Sequence, residues 1–365
     1  MQEVIVTLLL SILFAFAISP LIINILYRFR VVRQIEDDFS SVVGERARKA
    51  GTPIMGGLII IITVLAITLT ANWNEYTLIP IIVLLISAFL GALDDLLNIF
   101  GRKRFVRPLQ KHIKLAMVHK NWKKRLWLFI LIPWSAYKNL WYTLGSYPGK
   151  GIHAGEKIIV QTIIGIIVAW WLFLHLGISE IWMPYWGSWE LGWFMPILVI
   201  FTIVSMSNAV NISDGMDGLS TGLLLPSFGA FLIIALIENQ QEISILIASI
   251  MGALIAYLYF NIKPARIQMG DTGSLALGTI LATIAFLQGQ IILLPIIGIL
   301  FVLEIGSSLV QGIYRKIFGK RLLKMAPIHL HFLIKGWAEE KVVMRMWLLA
   351  TIFAIVGLAI YIIAK

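Results

Sequence analysis

The sequence contains no cysteine, which excludes disulfides and thiolate metal sites. Charge is scarce too. Only 13% of the 365 residues are Asp, Glu, Lys or Arg, against roughly 25% in soluble domains. Period-two alternation and internal repeats are also lacking, which argues against a barrel or a repeat array. The opening MQEVIVTLLL lacks the basic stretch of a cleaved export signal, and its apolar run goes on to Tyr27, so a retained first span is expected. What remains is 59% hydrophobic, the composition of a membrane protein.

Ten segments are long and apolar enough, or nearly so, to cross a bilayer: 4–27, 53–71, 77–93, 158–178, 191–207, 219–237, 243–260, 273–288, 291–313 and 343–364. The expected fold is all-α, one integral-membrane domain over 1–365. The connections 28–52, 94–157, 208–218, 261–272 and 314–342 hold 28 of the 30 Lys and Arg residues. The alternate connections hold none, only glutamates. The positive-inside rule then places the basic connections in the cytoplasm and both termini outside. The tryptophans Trp182, Trp186, Trp189 and Trp193 suit an outer interfacial belt. The net charge of +11 thus points to anionic lipid or phosphorylated substrates, not nucleic acid.

Connection 102–157 is long and strongly basic, and its apolar piece Leu126–Trp134 is too short to span. A span here would put the later basic connections on opposite sides. One or two interfacial amphipathic helices are expected instead, with a plain solvated basic loop as the other reading.

Five aspartates fall at the ends of spans on the basic side: Asp94, Asp95, Asp214, Asp217 and Asp271. A lone pair there could be a helix cap. Three clusters on one side suggest a shared cleft, because charge held near a bilayer usually marks function. Oxygen-only donors beside basic loops suit Mg²⁺ and phosphate chemistry. The polar turn NAVNISDGMDGLSTG (208–222) and the MGDTGS run (269–274) add glycines and a helix N-terminus whose N–H groups favour an anion. In KMAPIHLHFLIKGW (324–337), His329 and His331 share one side of an extended loop but not of a helix. Glu304 lies mid-span, either as a partner inside the bundle or as an occluded site residue.

These residues carry a resemblance. KAGTPIMGG (49–57), LDD (93–95), NAVNISDGMDGL (208–219), FNIKPARIQMGDTGSLALG (260–278) and MAPIHLHFLIKGW with EEKVVMRMW (325–347) are similar to the polyprenyl-phosphate N-acetylhexosamine-1-phosphate transferases. The tail is most like their muramoyl-pentapeptide branch. The resemblance implies transfer of phospho-MurNAc-pentapeptide from UDP-MurNAc-pentapeptide to undecaprenyl phosphate, giving lipid I and UMP, with Mg²⁺, at the cytoplasmic face of a bacterial inner membrane. It allows a homodimer. By motif match, Asp94, Asp95 and Asp271 are catalytic or metal-linked, with Asp271 the first choice as metal ligand, and His329 joins the catalytic group. Lys49, Lys157, Asn208, Asn211, Asp214, Asp217, Asn261, Gln268, Gln311 and His331 are expected to bind substrate, with Gln161 beside Lys157.

Three departures from the family pattern stand out. A run of three histidines reads His329-Leu330-His331, an aromatic three residues before Asp271 is Gln268, and connection 102–157 is longer than usual. Direct attack of the lipid phosphate is the favoured route, with a covalent aspartyl-phosphate as the other. The rival activities are a sister transferase of GlcNAc-1-phosphate and a secondary transporter.

Overall fold

The computed structural model describes residues 1–33, 50–102, 107–143 and 149–365. In chain order the first helices are α1 (Gln2–Arg28), α2 (Gly57–Ala71) and α3 (Glu75–Phe100). Three short helices follow: α4 (Leu109–Val118), α5 (Trp122–Ile130) and α6 (Ile132–Thr143). Next come α7 (Ala154–Trp170, prolonged by a π turn over Trp171–His175), α8 (Phe194–Ser213), α9 (Leu219–Ile237) and α10 (Gln241–Asn261). The last are α11 (Gly270–Leu287), α12 (Leu294–Ile297), α13 (Ile299–Phe318), α14 (Ile328–Ile334) and α15 (Glu339–Ala364).

The chain is an integral membrane protein. Among the described residues, eight helices are long and apolar enough to cross a bilayer, and α2 is a shorter apolar helix of 15 residues. Together with α13, which carries Glu304, Arg315 and Lys316, they correspond to the ten expected segments. The expected span 291–313 is broken, because the chain turns at Gly298 between α12 and α13.

Hydrogen bonds tie the Lys/Arg-poor connections together. Gln241 donates to Glu3, the Asn72 side chain to Glu242 O (2.8 Å), and Trp182 N–H to Gly289 O (3.4 Å). His175 meets Glu75 at 2.6 Å, and Lys365 meets Glu238. These connections therefore share one end of the bundle, and the aspartates gather at the other.

The centre of the bundle is α11, where every residue from Thr272 to Phe286 is buried. A helix apolar all round belongs inside. Its N-terminus, with Asp271, is held in the interior by close backbone contact. A Cβ on Gly91 of α3 would lie 2.1 Å from Asp271 O, and one on Gly57 of α2 would lie 2.2 Å from Gly273 Cα. Small residues permit such approach between spanning helices.

Two features differ from expectation. Glu180–Met183 and Gly187–Glu190 form an antiparallel hairpin at the Lys/Arg-poor end. Tyr185 and Gly187 turn it with positive φ, and four-residue strands are too short for alternation to reveal. Among the described residues, connection 102–157 holds three short helices, where one or two are expected. Asn121 caps α5 by accepting from Lys123 and Lys124 N–H, and the apolar piece divides at Leu131 between α5 and α6, with Pro133 in the first turn of α6.

Candidate active site

Lys157, in the first turn of α7, places its ammonium 2.8 Å from Asp94 Oδ2 and 2.6 Å from Asp271 Oδ2. Asp94, near the end of α3, also accepts from Asn98 Nδ2 (2.8 Å) and from the backbone N–H of Ile152. Asn211 of α8 donates to Asp271 Oδ1 (2.8 Å) and to Ser274 Oγ (2.9 Å). Four elements thus converge on one carboxylate–lysine centre. Formally it sets one positive charge against two negative ones, so it remains attractive to a further cation.

Asp95 has a different task. Its carboxylate accepts the N–H groups of Asp271 (3.1 Å) and Thr272 (3.0 Å) and the Thr272 hydroxyl (2.6 Å). Asp214 Oδ2 accepts the N–H of Gly270 (3.1 Å). The first three N–H groups of α11 are therefore taken by protein carboxylates. The expectation that this N-terminus is free for a substrate anion does not hold, because two acidic side chains cap it from neighbouring elements.

A cavity of about 210 Å³, open mouth included, lies beside the centre. It is bordered by Arg33, Asp214, Gly215, Met216, Asp217, Asn261 and Gln268. Asn261 shapes its wall by accepting from Gly218 N–H (3.1 Å) and Thr221 Oγ1 (3.2 Å) and donating to Ile267 O (2.8 Å). Asp217 Oδ2 accepts from Ala265 N–H (3.1 Å). Gln268 faces this cavity and accepts from Arg33 Nη1 (2.9 Å). Arg33 escaped the sequence reading because a lone arginine after the first span looks like any positive-inside residue.

Other expected site residues lie elsewhere. Asn208 donates to Gln161 Oε1 (2.7 Å), and Gln161 donates to Ser207 Oγ (3.2 Å), a brace between α7 and α8. Gln311 accepts from Leu322 and Leu323 N–H and donates to Leu323 O, which pins the connection after α13. His331 Nδ1 accepts from Lys324 N–H (3.1 Å). His329 Nδ1 meets Glu304 Oε2 at 2.8 Å, and both side chains are fully buried. Glu304 thus has His329 as its partner inside the bundle. Among the described residues no hydrogen bond joins Gln311, His329 or His331 to the carboxylate–lysine centre. Leu330 is buried, an apolar position in this packing. Lys49 lies outside the described residues.

The C-terminal motif supports the site from behind. Trp347 Nε1 donates to Gly218 O (3.1 Å), and its indole lies so close to Gly222 that a Cβ there would be 1.9 Å away. Trp337 packs beneath Lys341 and Arg345, 4.8 and 4.6 Å from its ring centre.

Residues 149–289, the stretch that carries Lys157, the 208–222 turn and Asp271, match the model of glycosyl transferase family 4. The spanning bundle with this centre defines an integral-membrane phosphosugar transferase. The relatives narrow the class. The chain is 33% identical over 368 residues to a phospho-N-acetylmuramoyl-pentapeptide-transferase of Bacillus licheniformis and 34% identical over 360 residues to one of Bacillus subtilis, covering 98% of each chain in both cases. It is 32% identical over 353 residues to one of Caldanaerobacter subterraneus subsp. tengcongensis, covering 96% of each. The chain belongs to the phospho-N-acetylmuramoyl-pentapeptide-transferase family.

Proposed function

We propose that this protein transfers phospho-MurNAc-pentapeptide from UDP-MurNAc-pentapeptide to undecaprenyl phosphate, forming lipid I and UMP for peptidoglycan synthesis. The observation that carries this is Lys157 held between Asp94 and Asp271 at the end of the bundle where the basic connections lie. The positive-inside rule supports a cytoplasmic position for that end with both termini external, and the bacterial relatives support a bacterial inner membrane.

The same geometry suits Mg²⁺. Two carboxylates already converge on one cation, the Lys157 ammonium, and the donors are all oxygen. Among the described residues no three His, Asp or Glu side chains form a ready cage, as expected for an ion held by one or two carboxylates plus substrate phosphates. Asp271 and Asp94 would hold it, and Asp95 would fix the backbone that carries Asp271. When bound, the ion supplies charge neutralisation at the reacting phosphates.

The acceptor needs little activation. A phosphate monoester has a second pKa of about 6, so at neutral pH its oxygen is mostly deprotonated. That oxygen forms the new bond to the sugar-linked phosphorus. The bond from this phosphorus to the bridging oxygen breaks, and UMP leaves with the electron pair. Asp94 takes any residual proton. Lys157 holds the two anions together, which is where most of the barrier is lowered. The cavity beside Arg33 and Gln268 receives the uridine end.

The test is UMP release by the purified chain in lipid with undecaprenyl phosphate and either UDP-MurNAc-pentapeptide or UDP-GlcNAc. Release with the first, abolished by EDTA and restored by Mg²⁺, is expected. Release with UDP-GlcNAc alone, or substrate uptake without UMP, overturns the reading.

A further inference from the structure

From residue 96 to residue 155 the chain carries twelve Lys or Arg and no Asp or Glu. Lys111, Lys114, Lys120, Lys123, Lys124 and Arg125, on or beside α4 and α5, form no ion pair among the described residues. Such a charge excess, without an ion-pair partner among the described residues, suits an anionic partner.

The partner's form follows from α5, which buries none of its residues. At 3.6 residues per turn, Trp122, Leu126, Phe129 and Ile130 fall on one face, and they are 68%, 54%, 43% and 59% exposed. Lys123 and Arg125 flank that face. Their stems can lie along an apolar layer while their charges stay with headgroups. The segment starts at the end of α3 and returns at the start of α7, both long and apolar enough to span, which places its two ends at the membrane boundary. An apolar face flanked by unpaired basic residues at that height fits an anionic lipid surface.

The same helices are joined to the catalytic centre. His112 Nε2 bonds Leu128 O (3.0 Å), linking α4 to α5. Asn139 of α6 accepts from Leu109 N–H and donates to Arg107 O, linking α6 to α4. Tyr137 Oη donates to Gly155 O (2.9 Å), and Lys138 pairs with Glu156 at 2.6 Å. Trp141 closes over Gly155, where a Cβ would lie 2.5 Å from its ring. The next residue but one is Lys157. On the return path, Ile152 N–H donates to Asp94 itself.

We propose that α4–α6 form a docking module for anionic phospholipid, and that its seating on the membrane, passed through the Tyr137–Trp141–Gly155 joint, steadies the first turn of α7 that carries Lys157 beside Asp94 and Asp271 and so raises the transfer rate. The rate part rests on the function proposed above. The docking part does not.

The absence of cysteine makes the test clean. Leu126→Cys in the full-length chain provides a single thiol for a nitrobenzoxadiazole probe. The labelled protein is reconstituted in phosphatidylcholine, or in phosphatidylcholine with an equal part of phosphatidylglycerol. In the anionic vesicles the probe's emission is expected to shift to the blue and to be quenched by brominated acyl chains. Lys123→Gln, Lys124→Gln and Arg125→Gln together should reverse this, each removed charge weakening seating by about fivefold, equivalent to the ~1 kcal/mol a basic residue contributes near an anionic surface. Tyr137→Phe with Trp141→Leu should keep the blue shift and the basal rate in phosphatidylcholine, yet lose the extra rate that anionic lipid confers. A probe that stays in water in both vesicles, or shifts equally in the triple Gln variant, overturns docking. So does a probe that shifts only when RNA or a soluble acidic protein is added. A blue shift with the rate increase intact in the joint variant overturns the coupling. Absence of any transfer in either vesicle, with the probe seated, counts against the proposed function and leaves docking standing.

Discussion

The Asp95 carboxylate accepts the backbone N–H of Asp271 at 3.1 Å. One aspartate thus holds the main chain of the other, while the Asp271 side chain turns to Lys157 and Asn211. Adjacent acidic positions in LDD are therefore divided: Asp94 meets Lys157 and Asp95 caps the central helix.

This division predicts two different phenotypes. Asp271→Asn keeps the cap and the fold but should lower UMP release by about 100-fold or more, as losing a charge aimed at the transition state commonly does. Asp95→Asn removes a charge and an acceptor from the N-terminus of α11 and should cost about 1–2 kcal/mol of stability. Thermal unfolding and UMP release on both variants check it. Turnover of Asp271→Asn within a few-fold of wild type at saturating Mg²⁺ contradicts the metal assignment. An equal loss of stability in both contradicts the division.

Lys157 occupies the place where a divalent ion would meet Asp94 and Asp271. Lys157→Met removes a competing cation and leaves two carboxylates facing each other. Their repulsion favours metal, so Mn²⁺, used as a paramagnetic probe, should bind at least tenfold more tightly, in line with about 4 kcal/mol between unit charges 4 Å apart at an effective dielectric of 20. Turnover should nevertheless fall, because the ammonium no longer gathers the two substrate anions. Weaker Mn²⁺ binding in this variant would show that lysine and metal do not share the site.

The buried Glu304–His329 pair offers a stability test. Glu304 Oε1 and His329 Nε2 have no hydrogen-bond partner among the described residues. Removing one member of a buried pair costs about 3–5 kcal/mol, because the other is stranded, whereas replacing both with apolar residues is often neutral. Glu304→Ala should therefore sharply lower the unfolding temperature in detergent, and Glu304→Leu with His329→Phe should recover most of the loss. If the double variant is as unstable as the single one, the pair has a role that packing cannot replace.

Much of this was legible in the sequence because the bilayer dictates it. Hydrophobic length located the spans, and the asymmetry of Lys and Arg sorted the connections into the two sets that the hydrogen bonds gather at opposite ends. Asp94, Lys157, Asn211 and Asp271 were named and are brought together. Sequence gave no sign that Asp95 and Asp214 would take the N–H groups of α11, since a carboxylate that caps a distant helix looks the same as one that binds metal. Gln311 resembles a site residue, and its side chain hydrogen-bonds the connection beside it. Arg33 carried no motif, and its place beside Gln268 depends on backbone pairing of Val32 with Pro53 that brings two distant strands of chain together.

Gln268 holds the remaining prediction. It stands where the family resemblance places an aromatic ring, and its side chain faces the cavity, bonded to Arg33. A ring there could stack on uracil for roughly 1–3 kcal/mol. Gln268→Phe would forfeit the hydrogen bond from Arg33, but a guanidinium at the mouth of an open cavity is readily hydrated, so that loss is about 1 kcal/mol. Taking the middle of the stacking range, about 2 kcal/mol, less the ~1 kcal/mol forfeited leaves about 1 kcal/mol in favour of the ring, so KM for the UDP substrate should fall about fivefold. The rate constant kcat should change little, since the base is remote from the reacting phosphorus. Arg33→Ala should raise KM in the wild-type background, because it removes the cationic side chain that borders the cavity among the described residues. An unchanged or raised KM in Gln268→Phe, with its thermal stability intact, would show that uridine does not reach this wall, and the nucleotide would then have to be placed on another side of the carboxylate–lysine centre.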